Sequence, residues 1–478
     1  MVRHQKTPEM EVRPPVIEEF SLLGVNGYKD LKLLFNTNFK VVSSENGSGK
    51  TTLLNTLYAL LSGDHSLFLS ADFHSFRLVI NGIEFEGKRN DYSPISNRVY
   101  MDLVERFSWD RFSAERPSRP EVEEAILVGA SGEKVNYQKT KYAMRAGGRY
   151  SINLNIFEHL IRSSAGEPHS KQIEQSKKKF VSLNNRIVHA LNGVNIIYLP
   201  TYRRIERSMP SMEERSNSSY MIDGEGSWDD TQLIHFGLND VSKQLKRKAE
   251  KIRRATIQEF SRISGKALDD LLDHNIEPSI EFPYELDVET LRVLLGRIEG
   301  DTEGRLGRIM GLIDSGAIRD GRHHYLRQLL SQLMETYRST QREEFALEAF
   351  SEVVGAYWAD DPEKTVVFDR VSAEVTIQNN YTGITLPLDA LSSGEKQIIS
   401  VLARLHLADN QKYIVLIDEP EISLSIEWQQ KILVDVCKAP SLRQLIAITH
   451  SPFIFKNELL PFTGEMVIHR HMKSGSFL

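Results

Sequence analysis

Cysteine is almost missing. The one cysteine among 478 residues, Cys437, excludes an internal disulfide and any multi-cysteine zinc site. It lies in the apolar-periodic stretch Ile432 to Cys437 and reads as core filler. No run of roughly eighteen apolar residues occurs, so a membrane-spanning helix is not expected. The opening MVRHQKTPEMEVRPP has charges and prolines where a secretion signal needs an apolar stretch, and a cytoplasmic protein is expected. An excess of positive charge is also lacking: 59 Lys and Arg stand against 65 Asp and Glu, a net charge of −6. Any nucleic-acid contact must then come from a local basic patch. Internal repeats and low-complexity tracts are absent. What remains, 40% hydrophobic and 26% charged residues, is ordinary for a soluble globular chain with room for two or three structural units.

Short strands are predicted at Ile17 to Leu23, Leu31 to Phe35 and Phe39 to Ser43, followed by a glycine-rich turn and a helix from about Lys50 to Leu61. Arg77 to Ile80, then Asn81-Gly82, then Ile83 to Phe85 is a hairpin pattern, because Asn-Gly supplies the positive φ angles of a type I′ turn. An antiparallel sheet beside a nucleotide core is expected from it. Between about 88 and 190 the pattern assigns only a surface loop at Ser163 to Ser170. Val194 to Leu199, stopped by Pro200, reads as a buried strand, and Ser211 to Asp230 as a mobile loop. Apolar residues then recur at helical spacing, at Leu238, Val241, Leu245 and Ile252 and again at Tyr325, Leu326, Leu329, Leu330 and Leu333. The heptad register soon breaks down, which argues against a long coiled coil. From Val366 strands return, with a turn at Asn379 to Gly383, and helix and strand then alternate. The expected organisation is an α/β nucleotide-binding head in two lobes, 1–206 and 363–478. A helical insertion, 207–362, separates them and would serve dimerisation or partner docking.

Four patterns carry chemistry. Ser44-Glu45-Asn46-Gly47-Ser48-Gly49-Lys50-Thr51 follows an apolar strand and precedes an apolar-periodic helix. That context suits a phosphate cradle: backbone N–H groups around Asn46, Gly47, Ser48 and Gly49 and the helix N-terminus, with Thr52 beside them, face phosphates. Lys50 adds charge, and the Thr51 hydroxyl can ligate Mg²⁺. Ser44 stands where the first glycine of the motif belongs. Second, the apolar strand Tyr413 to Ile417 ends in Asp418-Glu419. A buried carboxylate pair is costly unless a metal offsets it, with Asp418 reaching Mg²⁺ and Glu419 polarising an attacking water; alone, such a pair is more often a solvated turn. Third, the strand Gln444 to Thr449 ends at His450, a γ-phosphate sensor by position and a structural histidine when taken alone. Fourth, Leu391 to Gln397 opens an apolar-periodic helix, which fits anion binding and a plain N-cap equally well.

Together the four resemble the ABC ATPase family, with Ser44 to Thr51 as Walker A, Leu391 to Gln397 as signature, Tyr413 to Glu419 as Walker B and His450 as switch histidine. The resemblance implies ATP and Mg²⁺ as cofactors and a head-to-tail dimer or higher oligomer. In it Ser392 and Gly394 of one subunit would contact the γ-phosphate held by Lys50 of another. No glutamine loop is evident. The helical segment between Lys50 and Ser392 argues against a transporter ATPase, and its length against the chromosome-maintenance branch. DEPEISLSIEWQQ resembles the OLD and RecF-like branch, with Ser425 and Ile426 replacing the usual histidine and proline.

Bacterial members of that branch include ATPase subunits of phage-defence systems of the PARIS, Septu and retron-associated kinds, each working with a separate effector. Tyr198 to Glu206, with Arg203 and Arg204, looks like the strand and basic turn that border the nucleotide in these proteins. The resemblance implies an ATP-hydrolysing switch that senses an invader, a phage protein or nucleic acid, and controls a nuclease supplied in trans. An OLD-type nuclease module needs on the order of a hundred residues, and the stretch after His450, read as a closing helix and strand near Glu465 to His469, is too short for one. The insertion shows no metal-ligand spacing either, His323 and His324 being adjacent on a helix. Two other readings stay open: a RecF-like repair ATPase on duplex DNA, and an ATP-locked scaffold with little turnover. The basic stretch Lys243 to Arg254 fits nucleic acid, an acidic protein or a partner subunit. It fits a solvated helix face better, and no aromatic residue interleaves it for base stacking.

Overall fold

The computed structural model describes residues 10–43, 47–95, 167–200, 238–272, 287–298 and 301–471, together with single positions between 100 and 123. The chain divides into two compact units, Met1–His235 with Asn410–Leu478, and Phe236–Asp409. Both are built from helices and sheets, and the fold class is α/β.

The first unit carries two five-stranded sheets. One has the order β13-β2-β1-β4-β5 and pairs antiparallel throughout: β1 Ile17–Val25, β2 Lys29–Leu34, β4 Ser75–Ile80, β5 Ile83–Lys88 and β13 Val467–Arg470. The other has the order β12-β3-β11-β10-β6 and pairs parallel throughout: β3 Phe39–Ser43, β6 Val194–Leu199, β10 Lys412–Asp418, β11 Leu442–Thr449 and β12 Thr463–Gly464. The antiparallel sheet expected from the hairpin is present, and the sheet beside it, where an ABC-type head would have a mixed sheet, is parallel among the described residues. Gln444 on β11 joins them, its Oε1 accepting from the N–H groups of Val16 and Ile17 and its Nε2 donating to the Ile17 carbonyl. The hairpin turns where Asn-Gly places it, with φ of 48° at Asn81 and 75° at Gly82.

Between the sheets' apolar faces lies α1, Lys50–Ser62, whose Leu53, Leu54, Leu57 and Leu60 are fully buried in the same core as Phe20, Leu22, Leu31, Ile414 and Ile446. Each such side chain contributes about 1.5–3 kcal/mol of burial, which is what holds the N-terminus of α1 against the strand ends. A short α2, His65–Leu69, follows. α3, Glu167–Leu191, adds Phe180 and Ile187 to that core. It begins inside the expected surface loop, so Glu167 to Ser170 are helical and only Ser163 to Gly166 stay outside the described residues.

Two further expectations need correction. β6 is half-buried along its length rather than buried, because among the described residues it is an edge strand with β10 as its one neighbour. After His450 there is no α-helix among the described residues: two 3-10 turns, Pro452–Ile454 and Leu460–Phe462, lead into β12 and β13. The stretch Ser211 to Asp230 lies outside the described residues.

In the second unit the long helices α4, Leu238–Leu272, and α7, His324–Gly355, pack side by side, joined by the Lys251–Glu343 ion pair. Two shorter helices, α5 Val288–Gly296 and α6 Thr302–Asp314, bury Leu291, Leu295, Leu306 and Ile309 with Leu330 of α7. Arg297 and Glu344 form a buried ion pair at 2.8 Å, and Arg297 also donates to the Arg370 carbonyl. A three-stranded antiparallel sheet, β7 Lys364–Asp369, β8 Glu374–Asn379 and β9 Thr385–Leu386, precedes α8, Ser393–His406. The chain returns to the first unit before β10 and α9, Ile426–Lys438. His323 closes a 3-10 turn and His324 opens α7.

Candidate functional site

Parallel pairing aligns the carboxyl ends of three strands, since Ser43 of β3 is opposite Thr449 of β11, and Ile448 is opposite Asp418 of β10. Ligand sites of parallel sheets form at such ends. Here they gather Lys50, Asp418, Glu419 and His450 in the first unit.

Gly47, with φ of 74°, and Gly49, with φ of 102°, turn the chain from β3 into α1. Gly49 has a second reason to be glycine: a Cβ there would sit 2.8 Å from Leu31 Cδ1. Ser48 is buried, and Thr51 and Thr52 are half-buried in the first turn of α1. Ser44, Glu45 and Asn46 lie outside the described residues, as do Arg203 and Arg204. Lys29 on β2, which the sequence reading passed over, supports the turn, its ammonium donating to the carbonyls of Gly47 at 3.2 Å and Ser48 at 3.4 Å. It is 5% exposed, so the loop's carbonyls are held by a desolvated charge.

Lys50 opens α1 and is itself buried. Burial pushes its ammonium below the ordinary value, and the carboxylates of Asp418, Glu419 and Glu421 pull it back up. Its Nζ lies 3.4 Å from His450 Nδ1, and His450 Nε2 lies 3.9 Å from Glu419 Oε1. The imidazole therefore stands between the cation and the acid. Asp418 is buried at the end of β10. Glu419 has φ of 56°, the left-handed region, and its N–H donates to the Ile448 carbonyl at 2.8 Å. A non-glycine residue held there costs on the order of 1 kcal/mol or more and marks functional sites.

Two other residues bind this cluster together. The Glu421 carboxylate accepts from the N–H of His450 at 2.7 Å, the N–H of Ser451 at 3.2 Å and Thr449 Oγ1 at 2.7 Å. Gln429 of α9 accepts from Ser451 Oγ at 2.6 Å and donates to the Leu424 carbonyl at 3.0 Å. Both belong to the string DEPEISLSIEWQQ, which gave their positions but not their contacts. Where that string departs from its usual form, Ser425 caps α9, accepting from the Trp428 N–H, and Ile426 is the first helical residue.

Ser392 and Gly394 lie in the second unit, at the N-terminus of α8. Ser392 and Glu395 form a capping box: the Ser392 N–H donates to Glu395 Oε2 at 2.6 Å, and Ser392 Oγ accepts from the Glu395 N–H. Glu395 Oε1 also accepts from Trp358 Nε1 and Lys364 Nζ, both at 2.8 Å. Burial alone would raise the Glu395 carboxyl, but the bonds from Lys364, Ser392 and Trp358 outweigh it and hold the group at about 2. Ser392 and Ser393 are exposed and Gly394 is buried, so the capped turn stands at the surface on a fixed base.

Mg²⁺ asks for one or two carboxylates completed by phosphate oxygens rather than a protein cage. Asp418 is buried at a strand end and Thr51 half-buried in the first turn of α1, and among the described residues no group of three or more His, Cys, Asp or Glu could hold a metal ion unaided. No described helix is long and apolar enough to cross a membrane.

Residues 253–456 match the family model described as "AAA domain, putative AbiEii toxin, Type IV TA system". The matched stretch, less than half of the chain, is similar to AAA-type ATPase domains and includes Ser392, Asp418, Glu419 and His450 but not Lys50. A search of curated proteins finds no match. Among solved structures, a chain in the crystal structure of the SMC head bound to the C-winged helix domain of ScpA is similar at 11% identity. The alignment covers 95% of this chain and 98% of that one with a TM-score of 0.30, too low to establish a shared fold.

Proposed function

We propose that the chain is an ATP-binding and ATP-hydrolysing switch of the ABC type, which closes two nucleotide-binding faces around ATP and Mg²⁺. In this reading it serves a bacterial antiviral defence system by controlling a nuclease carried by another chain. The observation that carries the ATPase reading is the line Lys50, His450, Glu419 at the carboxyl ends of parallel strands, at 3.4 and 3.9 Å. A lysine at a helix N-terminus meets phosphate, a carboxylate beyond it meets water, and an imidazole between them touches both. The defence reading is supported by the DEPE…WQ string and by a family description that names a toxin of a TA system.

In the proposed chemistry Lys50 and the N–H groups from Gly47 onward hold the β- and γ-phosphates. Thr51 and Asp418 would hold Mg²⁺, which supplies positive charge to the phosphate oxygens when bound. Glu419 orients water on the γ-phosphorus and takes up its proton as the bond to ADP breaks, and His450 donates to the γ-phosphate. Ser392 and Gly394 of a second copy complete the site. Measuring phosphate release by wild type and Glu419→Gln tests this: no ATP-dependent release by wild type, or equal release by both, would sink it.

A second reading, an ATPase acting on duplex DNA, has one observation in its favour. Lys243, Lys246, Arg247 and Arg253 share the exposed face of α4, and among the described residues no carboxylate pairs with them. Phosphate backbones suit such a face. Stimulation of ATP hydrolysis by duplex DNA, lost on raising salt, would favour this reading over the first.

A further inference from the structure

Glu421 sits on the turn that follows the strained Glu419, and the three groups that donate to its carboxylate lie on the other side of the site, at the end of β11. Its Oε1 accepts two consecutive backbone N–H groups, those of His450 and Ser451, and its Oε2 accepts the hydroxyl of the fully buried Thr449. The arrangement resembles a helix cap, with a carboxylate satisfying backbone donors at the point where a strand ends. Gln429 reinforces it by holding Ser451 Oγ. None of these contacts reaches the imidazole itself. They fix the backbone from which the imidazole projects, and they fix it to the segment that carries Asp418 and Glu419.

We propose that Glu421 is a positioning residue for ATP hydrolysis, which acts through His450 by tying its backbone to the acid turn and so sets the imidazole between Lys50 and Glu419. The proposal rests on the ATPase reading above. It also makes the two strand ends one mechanical unit, so a phosphate that displaces His450 would pull on the Glu419 turn as well. A carboxylate suits the place better than an amide, because both oxygens accept. Glutamine still offers one oxygen to the two N–H groups and presents its NH₂ to Thr449 Oγ1, which can accept in turn.

The test combines amide exchange with a double-mutant cycle in the full-length protein. In Glu421→Ala the amides of His450 and Ser451 are expected to exchange with deuterium about tenfold faster or more, as the loss of hydrogen bonds to a charged group implies, while Glu421→Gln stays near wild type. The kcat for ATP hydrolysis is expected to fall about tenfold or more in Glu421→Ala with KM changed by less than about threefold, and Glu421→Gln recovers most of the loss. Adding His450→Ala to Glu421→Ala should cost little beyond the larger single loss, because the two act through one group. Losses that multiply, a loss that appears in KM instead of kcat, or unchanged exchange at His450 and Ser451 would each overturn the proposal. If Glu421→Ala does not fold, Gln429→Ala, which removes the bond from Ser451 Oγ together with those to the Leu424 and Glu421 carbonyls, carries the same cycle with an expected loss of about threefold. Failure of the wild type to hydrolyse ATP would sink the ATPase reading and with it the catalytic role, whereas amide exchange would still show whether the tether exists.

Discussion

Lys50 is under two opposed influences: burial works against its charge, and three carboxylates sustain it. A cation so placed is ready for a polyanion and has little water to shed. Lys50→Ala is expected to weaken ATP binding by at least about tenfold, the worth of charge-assisted bonds to phosphate, read by titration with a fluorescent ATP analogue. Glu419→Gln should retain that affinity and slow phosphate release by about a hundredfold or more, as removal of a general base does. At this scale the sequence exposed Lys50, Asp418 and His450 because each stands at the end of an apolar strand or the start of an apolar helix, a local pattern. It did not expose Glu421 or Lys29. Their partners are 18 or more positions away, Gly47 and Ser48 for Lys29 and Thr449 to Ser451 for Glu421, and only register between strands brings them into contact.

Among the elements, α8 carries a titrating group at each end. Glu395 in its first turn is held at about 2, below its ordinary 4.5. The folded state therefore gains from the charged form above pH 4.5, and that gain is lost as pH falls toward 2. His406 in the last turn is buried, neither ring nitrogen has a hydrogen-bond partner among the described residues, and burial lowers it to about 4 from 6.5. The unfolded chain takes up a proton below pH 6.5 while the folded chain resists until about 4, so stability again falls as pH falls. Each window is worth up to about 3 kcal/mol, and the two follow one another. His406→Leu is expected to flatten the dependence of Tm on pH between about 6.5 and 4 and to leave the slope below 4.5 in place, measured by thermal melts across buffers; an unchanged slope between 6.5 and 4 would remove His406 from the account. The helix itself was legible from its apolar period and its serine cap. Trp358 and Lys364, which fix that cap through Glu395, were not, since they sit 37 and 31 positions earlier. The Asn81-Gly82 hairpin was fully legible, because its turn is dictated by two adjacent residues. β6 was misjudged in burial because an apolar run does not tell an edge strand from a central one.

For the whole molecule, the proposed composite site divides its parts between two compact units, with Lys50, Asp418 and His450 in one and Ser392 and Gly394 in the other. A charge placed at Ser392 would block a second copy's phosphate and leaves Lys50, Asp418 and His450 themselves unaltered. Ser392→Arg is expected to bind ATP with near wild-type affinity and to lose ATP-dependent dimerisation, as read by light scattering. Mixed with Lys50→Ala, it should recover partial hydrolysis, because one of the two sites in a mixed dimer then pairs an intact Lys50 with an intact Ser392. No recovery at any mixing ratio would count against a composite site with independent halves.

The left-handed backbone at Glu419 has a consequence for how such a chain can change over generations. Asparagine accepts that conformation more readily than glutamate, so Glu419→Asn should leave the fold as stable or up to about 1 kcal/mol more stable while hydrolysis falls to the level of Glu419→Gln. Selection for stability alone would therefore drift toward an inert chain at this position. Persistence of glutamate here among descendants of the sequence would be a record of selection for turnover, and its replacement by asparagine or glycine would mark lineages that keep the fold and have given up the reaction.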